Sequence, residues 1–165
     1  MMTVPIIIDL EASGSGNESY PIEVGFSGRH GEGWCSLIRP EHTWSHWDDI
    51  AAERHLIPRE VLIERGNTAH FVAEQLNFFL KGRQVYSDSF HQDKQWLDVL
   101  YDCAQTQACF QIMDLFSIIS DAQQQLWENT KVQVVKELGV ARHRASSQAR
   151  ILQMTWLRTY DCSHQ

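Results

Sequence analysis

The sequence predicts an α/β domain in which helices flank a mixed β-sheet, and three observations carry that expectation. Val4 to Ile8 is a β-branched run with no polar alternation, the pattern of a strand covered on both faces in the middle of a sheet. Two more strand-like runs follow before Pro40. Beyond Gly66, stretches of helical spacing alternate with short apolar runs, the order expected when helices pack on a sheet.

The first strand closes on Asp9-Leu10-Glu11, and Gly14 to Asn17 is a turn signal. Tyr20 to Phe26 reads as a second strand, Ser27 to Gly31 as a tight connection and Trp34 to Arg39 as a third strand, which together make a three-stranded meander. Pro40 to Gly66 lacks a sustained period and is assigned short helical turns, with Pro58 suited to a helix start. Asn67 or Thr68 caps a helix reaching about Lys81. In it Phe71, Val72, Gln75, Leu76, Phe79 and Leu80 follow helical spacing, and Gly82 ends it. Gln84 to Ser87 is a strand. From about Gln92 to Ala104, Trp96, Leu97, Leu100 and Tyr101 recur at helical spacing, and Cys109 to Ile112 is a further strand. Met113 to Leu138 reads as helical with a break near Ser120 and a stop at Gly139. A last helix starts near Arg142 and carries Ala145, Ala149, Leu152 and Trp156.

The 165 residues fit one domain spanning 1–165, long enough to bury a core. Hydrophobic residues at 43% and charged residues at 21% match an ordinary globular composition, which argues against disorder or a fibrous fold. Met1 to Leu10 lacks the basic region and cleavage site of a signal peptide, and no run approaches the roughly 18 to 20 apolar residues that cross a bilayer. A soluble cytoplasmic protein is expected. Cys35, Cys103, Cys109 and Cys162 show no metal-finger spacing or disulfide framework and are read as free thiols. A formal charge of −7 opposes nonspecific attachment to long phosphate backbones and favours a short or small substrate.

Asp9 and Glu11, two residues apart at the end of a buried strand, project from the same side. Two carboxylates so placed repel each other unless a cation neutralises them, and an oxygen-rich site of this kind suits Mg²⁺ or Mn²⁺. The plain alternative is that the strand has ended and both acids are solvated.

The company this pair keeps is more telling. Ile6-Ile7-Ile8-Asp9-Leu10-Glu11-Ala12-Ser13-Gly14 closely resembles the first motif of the DEDDh 3′–5′ exonucleases, whose fold is ribonuclease-H-like. Pro21-Ile22-Glu23-Val24-Gly25 is similar to the segment that family carries on its second strand. Gly66, the capped helix after it and Val85-Tyr86-Ser87-Asp88 fall where the family has a helix and the strand leading into its second motif, so the resemblance spans nearly the whole chain. In that second motif a carboxylate at a helix start meets the first pair. Asp93 is chosen because Trp96, Leu97 and Leu100 follow it on one helical face; Asp88, nearer the strand end, is the rival, and either residue could be a simple helix cap. The third motif resembles Ala141-Arg142-His143-Arg144-Ala145-Ser146-Ser147-Gln148-Ala149. His143, Arg144, Ala145 and Ala149 match, whereas Gln148 stands where the family has its fourth carboxylate.

The resemblance implies two divalent cations, Mg²⁺ or Mn²⁺, held by Asp9, Glu11 and Asp93 with Gln148 at the fourth position, and His143 as general base. Ala12 and Ser13 would lie against the substrate, a short single-stranded DNA or RNA or a nucleotide, and the product would be a nucleoside 5′-monophosphate. A neutral amide at Gln148 brings no negative charge, so metal affinity should fall. Two outcomes follow: a weakened exonuclease, or a degenerate domain that binds without cutting. A third class makes Trp44, Trp47 and Trp127 a partner surface, against the ordinary expectation that tryptophans are buried. A homodimer is a common habit of the family and stays open at the level of sequence.

Overall fold

A computed structural model describes residues 3–141 and 143–163. Arg142, expected near the start of the last helix, lies outside the described residues. In chain order the elements are β1 (Ile6–Ala12), β2 (Pro21–Ser27), β3 (Gly33–Leu37), α1 (Asp49–His55), α2 (Arg59–Arg65), α3 (Ala69–Leu80), β4 (Gln84–Ser87), α4 (Phe90–Ala104) and β5 (Gln111–Asp114). A 3₁₀ turn at Leu115–Ile118, α5 (Asp121–Leu138) and α6 (Ala145–Ser163) complete the chain.

The five strands form one sheet in the order β3-β2-β1-β4-β5. β1, β2 and β3 are antiparallel neighbours, whereas β1 pairs in parallel with β4, and β4 with β5. The sheet is therefore mixed, with the apolar β1 at its centre. Alternation along β1 divides the core. Ile6, Ile8 and Leu10 pack with Val72, Leu76 and Leu80 of α3 and Leu97 and Leu100 of α4. Ile7 packs on the other face with Trp127 of α5 and Ala149, Leu152 and Trp156 of α6. Because side chains on a strand repeat every second residue, Asp9 and Glu11 share the Ile7 face, the one covered by α6.

Several boundaries differ from the sequence expectation for identifiable reasons. The third strand stops at Leu37, after which the Ile38 amide still donates to the Ile22 carbonyl at 2.8 Å while Ile38 forms an isolated bridge to Asn67. The fifth strand runs over Gln111–Asp114 rather than Cys109 to Ile112, in register with β4. It takes Met113 and Asp114 out of the expected helix. The Asp114 side chain then accepts from the Phe116 amide and opens the 3₁₀ turn. The break near Ser120 is a capping box in which Ser120 and Gln123 satisfy each other's backbone amides, so α5 starts there, and Gly139 ends it in the left-handed region at φ 59°. The mixed stretch before Gly66 holds two short helices, with Pro58 as the residue preceding the second. Trp127 is buried, and Trp44 and Trp47 are half-buried against the cluster of Tyr20, Ile22 and Leu62. This removes Trp127 from any partner surface. All four cysteines are free thiols. No helix among the described residues is long and apolar enough to cross a membrane.

Candidate active site

The end of β1 gathers acids. Asp9 is 6% exposed, and its Oδ2 has no hydrogen-bond partner among the described residues. Burial pushes its carboxyl well above the usual carboxylate range, and the charges of Asp93, Glu11, Asp88 and Glu23 push it further. Asp93, in the first turn of α4, is 1% exposed. Burial raises it to about 8, with Asp88 and Glu11 adding to the rise. Hydrogen bonds from the Ser87 hydroxyl, 2.6 Å from Oδ2, and from the Leu10 amide act in the opposite sense. Glu11 is raised to about 7 by burial and then by Glu23, against the pull of Arg144.

Asp93, Glu11 and Asp9 thus share one electrostatic site, and among the described residues Arg144, which acts on Glu11 from its pair with Glu23, is the cation that offsets part of this charge. Asp88 also acts on Asp9 and Asp93, but it pairs with Lys131 of α5 at 3.5 Å. The donor set is all oxygen, and the bare Asp9 oxygen offers a ligand atom to a hard divalent cation. Among the described residues no three His, Cys, Asp or Glu side chains are already arranged to hold a metal ion. The chemistry of the site fits a cation, while its cage is not preassembled.

A cleft of about 370 Å³ opens beside these acids, and Glu11, Ala12, Gly14, His55, Trp96 and His143 are among its walls. Glu11 and His143, far apart in sequence, are brought to one cavity; His143 occupies an exposed turn before α6. Ala12 lines the same wall. Ser13 is fully buried. Its Oγ accepts from the Tyr20 amide at 3.1 Å and lies 3.0 Å from His46 Nδ1, while its carbonyl accepts from the Asp48 amide at 2.8 Å. Its polar groups are occupied in tying the end of β1 to the loop that leads into α1.

The turn bearing His143 is held by Glu23, which faces Glu11 across the β1–β2 pair. Arg144 Nε and Nη2 donate to Glu23 Oε2 at 2.9 and 2.6 Å, and the Ala145 amide donates to Oε1 at 2.6 Å. Glu23 thereby serves as the anion at the start of α6, where unpaired amides and the helix dipole favour negative charge. Gly25 completes the fit, since a Cβ there would stand 2.7 Å from the Ser146 backbone nitrogen. Gln148 follows in the first turns of α6. It is half-buried, its backbone N–H donating to the Arg144 carbonyl, and it directly precedes the buried Ala149.

Two residues of this site carried no assignment from sequence. Glu23 had a visible signal, an acid inside an otherwise apolar strand and within the Pro21 to Gly25 segment that is similar to the exonuclease family's second strand. His55 had none, because it ends a short helix in a stretch without periodicity.

No family model and no curated protein matches the sequence. Solved structures do. Exonuclease I from E. coli, in complex with a dA16 oligonucleotide, superposes with a TM-score of 0.71 at 10% identity, over 98% of this chain and 43% of that one. The chain has the fold of one part of exonuclease I. A zinc-ion-bound E. coli exonuclease I–ssDNA complex gives a TM-score of 0.68 at 12% identity, over 100% of this chain and 41% of that one. A moderately thermophilic exonuclease I from Methylocaldum szegediense gives 0.67 at 12% identity, over 93% and 40%. The chain therefore spans about two fifths of the length of the exonuclease I chains it resembles. Similarity at this level of identity establishes the shared sheet and helix arrangement.

Proposed function

We propose that this domain is a divalent-metal-dependent 3′–5′ exonuclease acting on short single-stranded nucleic acid, with activity weakened by Gln148. The observation that carries the reading is the bare Asp9 oxygen, set among carboxylates whose pKa burial and mutual repulsion raise, beside a cleft that Glu11 and His143 both line. Asp9, Glu11 and Asp93 would hold Mg²⁺ or Mn²⁺, with the amide oxygen of Gln148 as a neutral fourth ligand. Asp88 is the less suited third acid because Lys131 engages it. When bound, the cations would offset the charge of the phosphate and of the oxygens exchanged at it.

The chain's own groups do the rest. His143 takes a proton from water as the water oxygen attacks phosphorus, the P–O3′ bond breaks, the O3′ left on the shortened strand takes a proton from solvent, the terminal nucleotide leaves as a nucleoside 5′-monophosphate, and His143 returns its proton to solvent. Arg144 and Glu23 position His143 from the neighbouring turn. Ala12 offers a small apolar wall beside Glu11, against which a sugar or base can lie, and Ser13 acts behind it by fixing that wall. The acidic surface of a chain of charge −7 limits the grip on long strands and matches a short substrate.

The absence of a ready metal cage among the described residues favours a second reading, a domain that binds nucleic acid without cutting it. End-labelled DNA and RNA oligonucleotides in Mn²⁺ separate the two. The exonuclease reading requires stepwise shortening from the 3′ end that EDTA abolishes. Cleavage in EDTA or from the 5′ end would exclude it, and binding without cleavage would establish the alternative.

A further inference from the structure

The end of the sheet away from the acids carries a cavity that the chemistry above does not use. β1 begins at Ile6, and strand register places Ser27 opposite Ile7 and Val85 beside Ile6. Arg29, two residues beyond Ser27, and Arg83, two residues before Val85, therefore both lie past the start of β1. Glu11 is five residues further along that strand, roughly 16 Å at about 3.3 Å per residue. The two arginines line one cavity of about 660 Å³, within the size range of small-ligand sites.

The backbone is fixed at both residues. The Gly28 amide donates to the Glu32 carbonyl at 2.6 Å and the His30 amide to Glu32 Oε2 at 2.8 Å, closing the tight connection that carries Arg29. Gly82, in the left-handed region at φ 69°, donates its amide to the Cys109 carbonyl at 2.7 Å. The Arg83 amide donates to the Leu80 carbonyl, and the Arg83 carbonyl accepts from the Gln111 amide, each at 2.9 Å. The side-chain heads are left over. Among the described residues neither guanidinium makes an ion pair or a hydrogen bond. Arg29 Nε is enclosed by the protein, whereas its outer nitrogens reach solvent.

Packing accounts for the stems. Both arginines also border a smaller pocket walled by Ile6, Phe26, Phe79 and Leu80, so their methylenes cover the edge of the core. It does not account for the heads. In a chain with 21 acids against 14 lysines and arginines, no wall of the larger cavity is an acid. Glu32, the acid of the smaller pocket, is turned to the His30 amide. The larger cavity adds the primary amides of Gln84 and Gln111 and the half-buried ring of Phe110. Two permanent cations without a protein anion thus present forked N–H donors of the kind that phosphate oxygens accept.

We propose that the cavity between Arg29 and Arg83 is a phosphate-binding site, separate from the acidic cleft, that takes free phosphate or the phosphate of a small ester such as a nucleotide. The guanidinium groups supply the charge, and Gln84 and Gln111 offer further donors. No metal is needed, so the site stands whether or not the cleft cuts nucleic acid.

The test is calorimetric titration in EDTA at low salt, which keeps metal out of the cleft and leaves its acids to repel phosphate. Inorganic phosphate, adenosine 5′-monophosphate and adenosine are titrated into wild type, Arg29→Gln, Arg83→Gln and the double variant, with melting curves confirming that each is folded. Arg65→Gln, an exposed position on α2 outside the cavity, controls for the change in net charge. Phosphate and the monophosphate should bind wild type, and adenosine should not. Each single variant should bind about tenfold more weakly, the worth of one charge-assisted contact, and the double variant should show no binding, while Arg65→Gln matches wild type. Arg83→Lys should keep only part of the affinity, because an ammonium cannot bind in a fork. Equal affinity for phosphate and the monophosphate assigns the site to phosphate alone, and tighter monophosphate assigns it to a nucleotide. A wild type that binds neither overturns the proposal, as do folded arginine variants that match wild type or an Arg65→Gln that loses as much as they do. Exposed Arg83 decides alone if Arg29→Gln fails to fold.

Discussion

Arg144 grips Glu23 with two guanidinium nitrogens at 2.9 and 2.6 Å, joining a turn near the C-terminus to the second strand of the sheet. The pair is asymmetric, since the Glu23 side chain is 3% exposed and that of Arg144 is 43% exposed. Glu23 also faces Glu11 across the strand pair, so the guanidinium tempers two acids that would otherwise repel.

Removing the cation should therefore cost more than a surface ion pair is worth. Arg144→Ala leaves Glu23 buried with only the Ala145 amide as compensation and should destabilise by about 3 kcal/mol, near the low end for an unpaired buried charge. Arg144→Lys should lose less. Urea unfolding of the two variants measures the difference, and equal stability with wild type would show that the Arg144–Glu23 pair contributes nothing to the fold.

Gly25→Ala tests the same junction from the other side. The added methyl would meet the Ser146 backbone at 2.7 and 2.9 Å, where no flexible side chain can yield. A cost of about 1 to 3 kcal/mol is expected from overpacking. Displacement of the start of α6 should also lower oligonucleotide cleavage beyond what the loss of folded protein explains. Activity normalised to folded protein provides that comparison.

These two residues mark where the sequence was legible and where it was not. Central β1, the strand at Gln84–Ser87 and the Ser120 break announce themselves through local patterns, as does the helix cap at Asn67 or Thr68, which the structure gives to Thr68. Short α1 and α2 leave no period to detect, and β5 moved by two residues because its register is dictated by β4 rather than by its own composition. The approach of Glu11, His143 and His55 to one cleft depends on contacts between distant segments, which no local pattern encodes.

Asp93, raised to about 8, and Glu11, raised to about 7, give the metal-free protein an inverted pH response. A carboxyl whose folded-state pKa exceeds its unfolded value binds more protons when folded, so stability falls as pH rises between the two values. The metal-free protein should melt at a higher temperature near pH 5 than near pH 8. Asp93→Asn should flatten that slope, and Mn²⁺ should raise the melting temperature most at the alkaline end. Melting curves with and without Mn²⁺ across this range give the sign directly.

Gln148→Asp should tighten Mn²⁺ binding and speed single-turnover cleavage. Each 1.4 kcal/mol of regained transition-state stabilisation is about tenfold in rate, and a restored ligand charge should supply at least that much. A folded, metal-bound Gln148→Asp that stays inactive would place the domain among nuclease-fold binding proteins.

Asp9→Asn removes the bare oxygen's charge and relieves the repulsion. It should abolish Mn²⁺ binding by calorimetry while leaving the metal-free protein at least as stable at pH 8. Unchanged metal affinity would exclude Asp9 as a ligand.

The parallel pairing of Ile6 with Val85 joins segments about eighty residues apart, and α6, which closes over β1, follows all five strands in sequence. Contacts of such long range form slowly, because the intervening loop must lose its freedom before the pairing rewards it. During synthesis the antiparallel hairpins can therefore form early, with the acids of β1 open to water. His143 and the start of α6 follow all five strands in sequence, so the cleft that Glu11 and His143 share comes into being only after the whole sheet has been laid down.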